Sequence, residues 1–322
     1  IDHSRELVAF VRDYNDTALE QTDQSARELL ETRLREPLLR EMLLLPLLYY
    51  GSAREHDMEL AQFVTMFKAL YLEGFARPPD GVRTIIRALR AKYRQLGGER
   101  RMRTGVARIE TQGGRVRRLH LDNGETLTAG HVISSAGHAE TLALCGDSWS
   151  SVPPAPEPAR GRLSFVETIS VLDRPAPAFG WEETIVFYND AGRVRYACPE
   201  AAEVDPSSGV ICFPGNYDYA EGEGPREGLL RITALANYAK WAAMDEPAYR
   251  ARKEDWFGRL RARAMRFLPP VEGGEDAVAR ATVATDMFTP TTITRYTGHF
   301  GGAIYGAPEK IRDGRTPYEN LY

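Results

Sequence analysis

The chain has 322 residues, about two domains' worth, with 43% hydrophobic and 27% charged residues and a formal net charge of −4. This composition excludes a disordered chain, a collagen-like chain and a small disulfide-stapled protein. Three cysteines without CxxC spacing are typical of a reducing compartment and do not predict a structural zinc site. The longest apolar run, residues 42–50, is too short to span a membrane as a helix.

The N-terminal third is predicted to be helical. Residues 4–35 predict one or two polar helices, and a leucine-rich stretch follows between Pro37 and Pro46. Ser52 and Glu55 predict a capping box that starts the next helix. A further helix is predicted from Asp80 to the glycines at 97 and 98, with an arginine stripe beside its apolar face.

The apolar pattern then changes to a period of two. Residues 100–111, 115–121 and 125–128 predict a β-meander, since glycine-containing hairpin turns separate them. Residues 131–137 predict a short, buried parallel strand. A proline-rich linker at 150–160 precedes the segments whose alternation indicates an antiparallel sheet: 163–172, 183–189, 193–198, 209–214 and 229–235. A helix at about 247–268 and a strand near 278–286 are predicted after them.

Basic charge is concentrated in one segment. Residues 83–118 carry twelve basic and two acidic side chains, a net +10 against −14 for the rest of the chain. Such a patch attracts phosphates, nucleic acid or an anionic membrane, or it is simply a solvated face. No nucleic-acid-binding motif is present, so nucleic acid is not expected as a partner.

No catalytic motif stands out in the sequence. It contains no GxGxxG, P-loop, HExxH or GxSxG, and the six histidines lack ligand spacing. No metal site is therefore expected, and the catalytic residues are unknown. The residues alone indicate an α+β protein and leave its function open.

The order of the segments does resemble a known group. The helix after Pro78, the strand at 104–109, the Asp122-Asn123-Gly124 hairpin and residues 131–136 follow one another as in the phytoene desaturase and carotenoid isomerase group. This group of FAD-dependent oxidoreductases lies within the wider amine oxidase superfamily. Residues 285–322 agree with it as well, whereas 1–77 and 150–280 resemble it weakly.

The resemblance implies a fragment of such an enzyme. The family's N-terminal dinucleotide-binding motif and its C-terminal flavin segment are not found in these residues, so FAD is expected to bind the parent protein and to bind this fragment weakly or not at all. The fragment is expected to be inactive alone. The implied α+β fold has a helical lid or substrate region at 1–80, a partial FAD-domain region with the β-meander at 81–150, a substrate-binding domain with a mainly antiparallel sheet at 151–285, and a return toward the FAD domain at 286–322.

The resemblance also implies the site residues. Cofactor contacts are expected from six positions: Val106, Ser135, Ala136, Gly137, Gly301 and Gly302. Substrate contacts are expected from Tyr296 and Tyr305, because aromatic rings suit a polyene or ring site. The alternative is that Val106 is sheet core and that Gly301-Gly302 is a plain turn. The flavin takes the hydride in this family, so few protein acid–base groups are needed.

The implied function is desaturation or isomerisation of an apolar, isoprenoid or carotenoid substrate by hydride transfer to FAD. Two alternatives stay open: an amine- or porphyrinogen-oxidising member of the superfamily, and a non-catalytic module that binds an apolar ligand or a protein. The expected partner is an apolar small molecule. The location is expected to be cytoplasmic, with peripheral membrane contact through residues 38–50 or the arginine stripe, although an apolar helix is more often core. The excess of arginine over lysine favours a bacterial source; the oligomeric state is open.

Overall fold

The computed structural model describes residues 5–14, 24–78, 80–146, 160–220, 222–311 and 313–322. It divides into two compact units. The sheet unit comprises Ile1–Gly74 and Gly161–Pro308, and the meander unit comprises Phe75–Arg160 and Glu309–Tyr322. The mixture of helices and antiparallel sheets confirms the α+β class. The four-part domain division drawn from the sequence stays a prediction, and most of the proline-rich linker lies outside the described residues.

Four helices begin the sheet unit: α1 Arg5–Asp13, α2 Ala26–Arg33, α3 Pro37–Gly51 and α4 Leu60–Phe67. A π-helical turn, Lys68–Glu73, extends α4. The predicted capping box is wrong, because Ser52 follows the end of α3 and is buried. Its hydroxyl donates to the Asp57 carbonyl at 2.6 Å and so closes the loop before α4.

The meander unit contains helix α5, Val82–Gln95, three antiparallel strands and helix α6, His138–Leu144. The strands are β1 Val106–Gln112, β2 Arg115–Leu121 and β3 Thr126–Leu127, paired in that order. This confirms the predicted meander. Asp80 does not cap α5; the helix begins after Gly81, and the Asp80 carboxylate instead accepts a hydrogen bond from Arg87 at 2.9 Å.

The segment 131–137 forms a parallel bridge, but it is not buried. Val132 pairs in parallel with Leu321, and the Val132 N–H donates to the Asn320 carbonyl at 2.8 Å. The side chain of Ile133 is 85% exposed, which corrects the expected burial. The prediction failed because an apolar run shows that a strand is suited to burial and does not show that other elements cover it.

The sheet unit continues with a five-stranded antiparallel sheet. Its strands are β4 Ser164–Leu172, β5 Ile185–Asn189, β6 Val204–Cys212, β7 Gly228–Ala236 and β8 Thr282–Phe288, in the spatial order β5-β6-β7-β4-β8. Four helices accompany them: α7 Tyr238–Ala242, α8 Glu246–Met265, α9 Gly274–Ala281 and α10 Pro290–Thr297.

Two predicted strands of the sheet unit need correction. Residues 193–198 alternate between exposed and buried side chains, yet this segment joins none of the described strands. The strand expected near 278–286 begins only at Thr282, because α9 occupies the preceding residues. In both cases the local pattern is typical of a strand. Whether a strand forms there depends on contacts with the rest of the chain, which the local pattern does not specify.

Both faces of the sheet are covered. Val166 and Ile232 share a core with Trp256 and Leu260 of α8 on one face. Phe165 and Leu235 share a second core with the helices α1 to α4 on the other, which we call the α3-side face. Because side chains alternate along a strand, neighbouring residues of β4 serve different cores.

The apolar side of α5 is exposed throughout. Leu89 is 65% exposed, and no residue of this helix is buried. The core of the meander unit lies elsewhere, around Ile109, Val116 and Leu142. The amphipathic pattern therefore identifies the apolar side of α5, while the meander unit itself is held by its strands and α6.

Leu89→Gln is expected to change the free energy of unfolding by less than about 0.5 kcal/mol, since glutamine keeps the helix propensity and little apolar area is lost. Ile109→Ala, in the buried core of the same unit, is expected to cost about 2–5 kcal/mol. Urea denaturation of both variants measures this difference. A large loss from Leu89→Gln would show that this face of α5 is packed in solution.

Candidate functional site

The end of α3 brings two tyrosines onto the α3-side face of the sheet. The Tyr49 ring stacks on Phe165 with centroids 5.5 Å apart, and its edge contacts Tyr196 at 5.4 Å. Tyr50 lies beside Phe187 of β5 at 5.8 Å. These five rings pack against one another between the helix and the strands, and large rings contribute much of the contact area in such clusters.

Tyr305, a predicted substrate contact, completes this group. Its ring packs edge-on against Phe165 at 5.9 Å, and its hydroxyl donates to the backbone carbonyl of Tyr49. The segment that carries it is anchored to β4, since the Ile304 N–H donates to the Leu163 carbonyl at 3.0 Å. We call the six rings the aromatic cluster: Tyr49, Tyr50, Phe165, Phe187, Tyr196 and Tyr305.

The aromatic cluster carries no charge at neutral pH. Burial raises the pKa of Tyr50 to about 12. Burial also raises the pKa values of Tyr49, Tyr196 and Tyr305 above the ordinary range of a phenol. A phenol whose pKa is raised keeps its proton at every pH below that value. The four tyrosines therefore present neutral hydroxyls.

A carboxylate of β4 lies on the same face of the sheet. Glu167 is two residues after Phe165 on β4, and its side chain is 8% exposed. Arg231 Nε lies 2.8 Å from Glu167 Oε1, and the Thr233 hydroxyl donates to Oε2 at 2.9 Å. Both oxygens are therefore engaged, and the negative charge is balanced by a guanidinium.

The predicted glycines are used by the packing of the chain itself. Gly302 has φ 61°, and a Cβ there would lie 2.5 Å from the Pro290 carbonyl oxygen. Gly301 also has positive φ, at 62°. Glycine is required in this conformation whether or not a cofactor approaches. Cofactor contact at Gly301 and Gly302 stays a prediction.

Tyr296 is outside the aromatic cluster. It lies on α10, its side chain is 77% exposed, and the neighbouring Arg295 guanidinium is 5.7 Å from its ring centre. Gly301, Gly302 and Tyr305 belong with it to the sheet unit, whereas the remaining predicted cofactor residues belong to the meander unit. Substrate contact at Tyr296 stays a prediction.

The other residues predicted to contact the cofactor lie at the start of β1 and just before α6. Val106 begins β1 and is 38% exposed. Ser135 is exposed, and the Ala136 N–H donates to the Ser134 hydroxyl at 3.3 Å. Gly137 precedes α6 with φ 105°. Contact with the adenine end of a cofactor at these positions stays a prediction.

These residues do not fit the pyrophosphate of a dinucleotide. A Cβ at Gly137 would lie 2.4 Å from a carboxylate oxygen of Glu140, so an acidic side chain already occupies the N-terminal turn of α6. A pyrophosphate there would meet like charge. The sequence offers no GxGxxG turn as a substitute.

Neither a metal-binding cluster nor a membrane-spanning helix occurs among the described residues. They contain no group of three or more His, Cys, Asp or Glu side chains placed to hold a metal ion. Among the helices in this part of the chain, none combines the length and apolar character needed to cross a bilayer. The cytoplasmic location and peripheral membrane contact stay predictions.

Comparison with known proteins identifies the family. The model of the flavin containing amine oxidoreductases matches residues 4–250, and the chain belongs to that family. This confirms the expected amine oxidase superfamily; the phytoene desaturase-like group within it stays a prediction. Comparison with curated proteins gives no match.

Solved structures share the fold. An oxidoreductase from Methanosarcina mazei has a TM-score of 0.58 at 13% identity, covering 98% of this chain and 64% of its own. A triple mutant of putrescine oxidase redesigned in cofactor binding has a TM-score of 0.56 at 14% identity, covering 100% of this chain and 68% of its own. The chain thus spans less than two thirds of the length of the first structure. At these identities the likeness shows the fold alone.

Most of the aromatic cluster was missed from the sequence. Phe165 and Glu167 are two residues apart in a predicted strand, so the alternation of side chains predicts that they lie on the same face of the sheet. Arg231, however, is 64 residues away from Glu167 along the chain. Its position beside Glu167 depends on the pairing of β4 with β7, which the local pattern does not specify.

Tyr305→Phe is expected to lower the free energy of unfolding by about 1 kcal/mol, because the hydroxyl donates to the Tyr49 carbonyl in a half-buried setting. The matched change Tyr296→Phe removes a hydroxyl from an exposed ring and is expected to have no measurable effect. Guanidinium denaturation compares the two. Equal stabilities would show that the Tyr305 hydrogen bond contributes nothing.

Proposed function

We propose that this chain supplies the substrate-binding surface of a flavin-dependent oxidoreductase that uses FAD, and that its substrate is uncharged and largely apolar. The observation that carries the proposal is the aromatic cluster, with its neutral phenols, beside a carboxylate already paired with Arg231. Membership of the flavin containing amine oxidoreductase family supports the reaction class.

The chemistry of the surface favours an isoprenoid or carotenoid-like substrate. Aromatic rings offer apolar area and π faces to a polyene, and few polar groups are needed to orient such a ligand. The neutral hydroxyls of Tyr49 and Tyr50 add no charge to that surface. Desaturation or isomerisation of a carbon–carbon bond is the reaction we infer, as in the group that the sequence resembles.

Flavins supply hydride acceptance in reactions of this kind. The described residues of this chain do not fit the cofactor's pyrophosphate, so we assign them no step of hydride transfer. Their role is to bind the substrate and to exclude water from it. The buried contacts of Phe165 and Tyr196 provide a dry, rigid wall for that purpose.

A second candidate is oxidation of an amine. The family name and the fold shared with a putrescine oxidase favour it. Two described carboxylates on this face could receive an ammonium: Glu167, which would have to exchange Arg231 for it, and Asp205, whose charge helps to raise the pKa of Tyr49. Binding of an uncharged isoprenoid alcohol against that of a diamine separates the two candidates.

The experiment titrates geranylgeraniol and putrescine into the purified chain and follows intrinsic fluorescence. We expect geranylgeraniol to bind and putrescine not to bind. Phe187→Ala, in the aromatic cluster, is expected to weaken geranylgeraniol binding about tenfold, since burial of one aromatic ring contributes about 1–3 kcal/mol.

Tyr296→Ala is the matched control, because it removes an exposed aromatic ring outside the aromatic cluster. Leu89→Gln controls for binding to the exposed side of α5. Both controls are expected to bind geranylgeraniol as the unchanged chain does. Selective binding of putrescine, or an unchanged affinity in Phe187→Ala, would contradict an apolar substrate on this surface.

Retention of the cofactor tests the fit of the meander unit. The chain, mixed with FAD and then desalted, is expected to lose the visible flavin absorbance, because these residues lack a Gly-rich turn at a helix N-terminus for the pyrophosphate. A flavin spectrum that persists with one FAD per chain would show that these residues suffice to hold the dinucleotide.

A further inference from the structure

A separate cavity lies in the sheet unit, beside residues 193–206. Its volume is about 900 Å³. Tyr196 is buried in the core shared with Tyr49, whereas Arg193 and Arg195 are exposed and line the cavity. The cavity lining contains no residue of the aromatic cluster, and the inference drawn from it does not depend on the proposed function.

Two guanidinium groups line the cavity without partners. Arg193 and Arg195 stand two residues apart in an extended segment, an arrangement that places their side chains on the same side. Neither has a hydrogen bond, ion pair or ring contact with any described residue. Each guanidinium offers five N–H donors in a planar fork that matches carboxylate and phosphate oxygens.

The acidic side chains of the lining are largely engaged already. Each accepts a hydrogen bond from a neighbour: Asp57 from the Arg27 backbone N–H at 3.0 Å, Asp205 from the Ser207 backbone N–H at 2.9 Å, and Glu200 from the Arg162 guanidinium at 3.1 Å. Asp57 also lies at the N-terminal turn of α2, where the helix dipole compensates a negative charge. The two free guanidinium groups thus outnumber the one lining carboxylate, Asp205, that lacks a cationic or helix-end partner among the described residues.

His56 is held in a strained backbone conformation at the same cavity. Its φ is 63°, which is uncommon outside glycine. Its N–H donates to the Tyr196 carbonyl at 2.7 Å, and its carbonyl accepts from Arg27 Nε at 2.9 Å. The backbone is therefore fixed on both sides, and His56 lines the cavity. Strain of this kind is concentrated at binding sites.

The rest of the lining is apolar and small. It is supplied by alanine, valine and proline side chains: Val194, Ala197, Pro199, Ala201, Ala202, Val204 and Pro206. An apolar wall with a few convergent polar groups is typical of small-molecule sites. The ligand that complements such a lining has an apolar body and one anionic group.

We propose that this cavity binds a small amphipathic anion, in which a carboxylate or phosphate is attached to an apolar body. The oxyanion accepts hydrogen bonds from the guanidinium groups of Arg193 and Arg195 and from the imidazole of His56. The apolar body lies against the alanine, valine and proline wall. None of these residues belongs to the aromatic cluster.

The experiment uses decanoate and octyl phosphate as the anionic probes and decanol as the uncharged one, each titrated into the full chain by calorimetry. Both anions are expected to bind more tightly than decanol. The double variant Arg193→Gln/Arg195→Gln is expected to weaken binding of both anions at least about tenfold, because hydrogen bonds from two charged groups to the oxyanion are lost. Its affinity for decanol is expected to be unchanged.

The matched control is Arg35→Gln/Arg226→Gln, which removes the same charge from two exposed arginines outside the cavity. It is expected to bind as the unchanged chain does. The variant Arg193→Lys/Arg195→Lys keeps the charge without the planar forks and is expected to lose part of the affinity. Equal anion binding by the unchanged chain and both cavity variants, or a preference for decanol, would overturn the proposal. If the double variant loses affinity for only one of the two anions, the site binds the class of that anion, carboxylate or phosphate.

Discussion

The alternation of side chains along β4 is the constraint on which the rest of the sheet unit depends. β4 pairs with β7 on one edge and β8 on the other, so it has no free edge and little freedom of register. Val166 contributes to the α8 core, and Phe165 and Glu167 face α3. A slip by one residue would carry the Glu167 carboxylate into the core around Trp256, where burial of an unpaired charge is prohibitive.

The elements that the sequence predicts well are those that a local pattern specifies. The observed bounds of β4, β7 and α8 lie within a few residues of the predicted ones. Alternation and capping depend on residues that are close together in the sequence, so they can be identified there. The meander strands follow from their turns. The failures involve partners beyond the local pattern. Ser52 is of a residue type that often caps helices, yet its hydroxyl donates to the Asp57 carbonyl and its own carbonyl accepts from the Tyr196 hydroxyl at 2.8 Å.

α5 shows a different limit of sequence reasoning. Its apolar side was identified correctly, and its C-terminal glycines end the helix as expected. Amphipathicity nevertheless identifies only the apolar side of a helix. It does not show which other element, if any, packs against that side. The same distinction applies to Ile133, which lies beside a single parallel bridge at Val132 and remains exposed. Within the aromatic cluster, Tyr305 is the ring that the family resemblance named, and its substrate contact stays a prediction. The other rings come together only through the fold.

The ion pair between Glu167 and Arg231 supports the proposed uncharged substrate over an amine. An ammonium substrate would have to displace the guanidinium from a carboxylate whose side chain is 8% exposed. Breaking a buried ion pair costs about 3–5 kcal/mol, or roughly 10²–10⁴-fold in affinity, unless the incoming cation replaces every hydrogen bond. The Arg231 side chain is 38% exposed, which lowers that cost here. Thr233 donates to the second oxygen, so both oxygens of Glu167 already accept hydrogen bonds from the chain before an ammonium arrives. An uncharged substrate leaves the pair intact and gains contact with neutral rings, so it needs no such compensation.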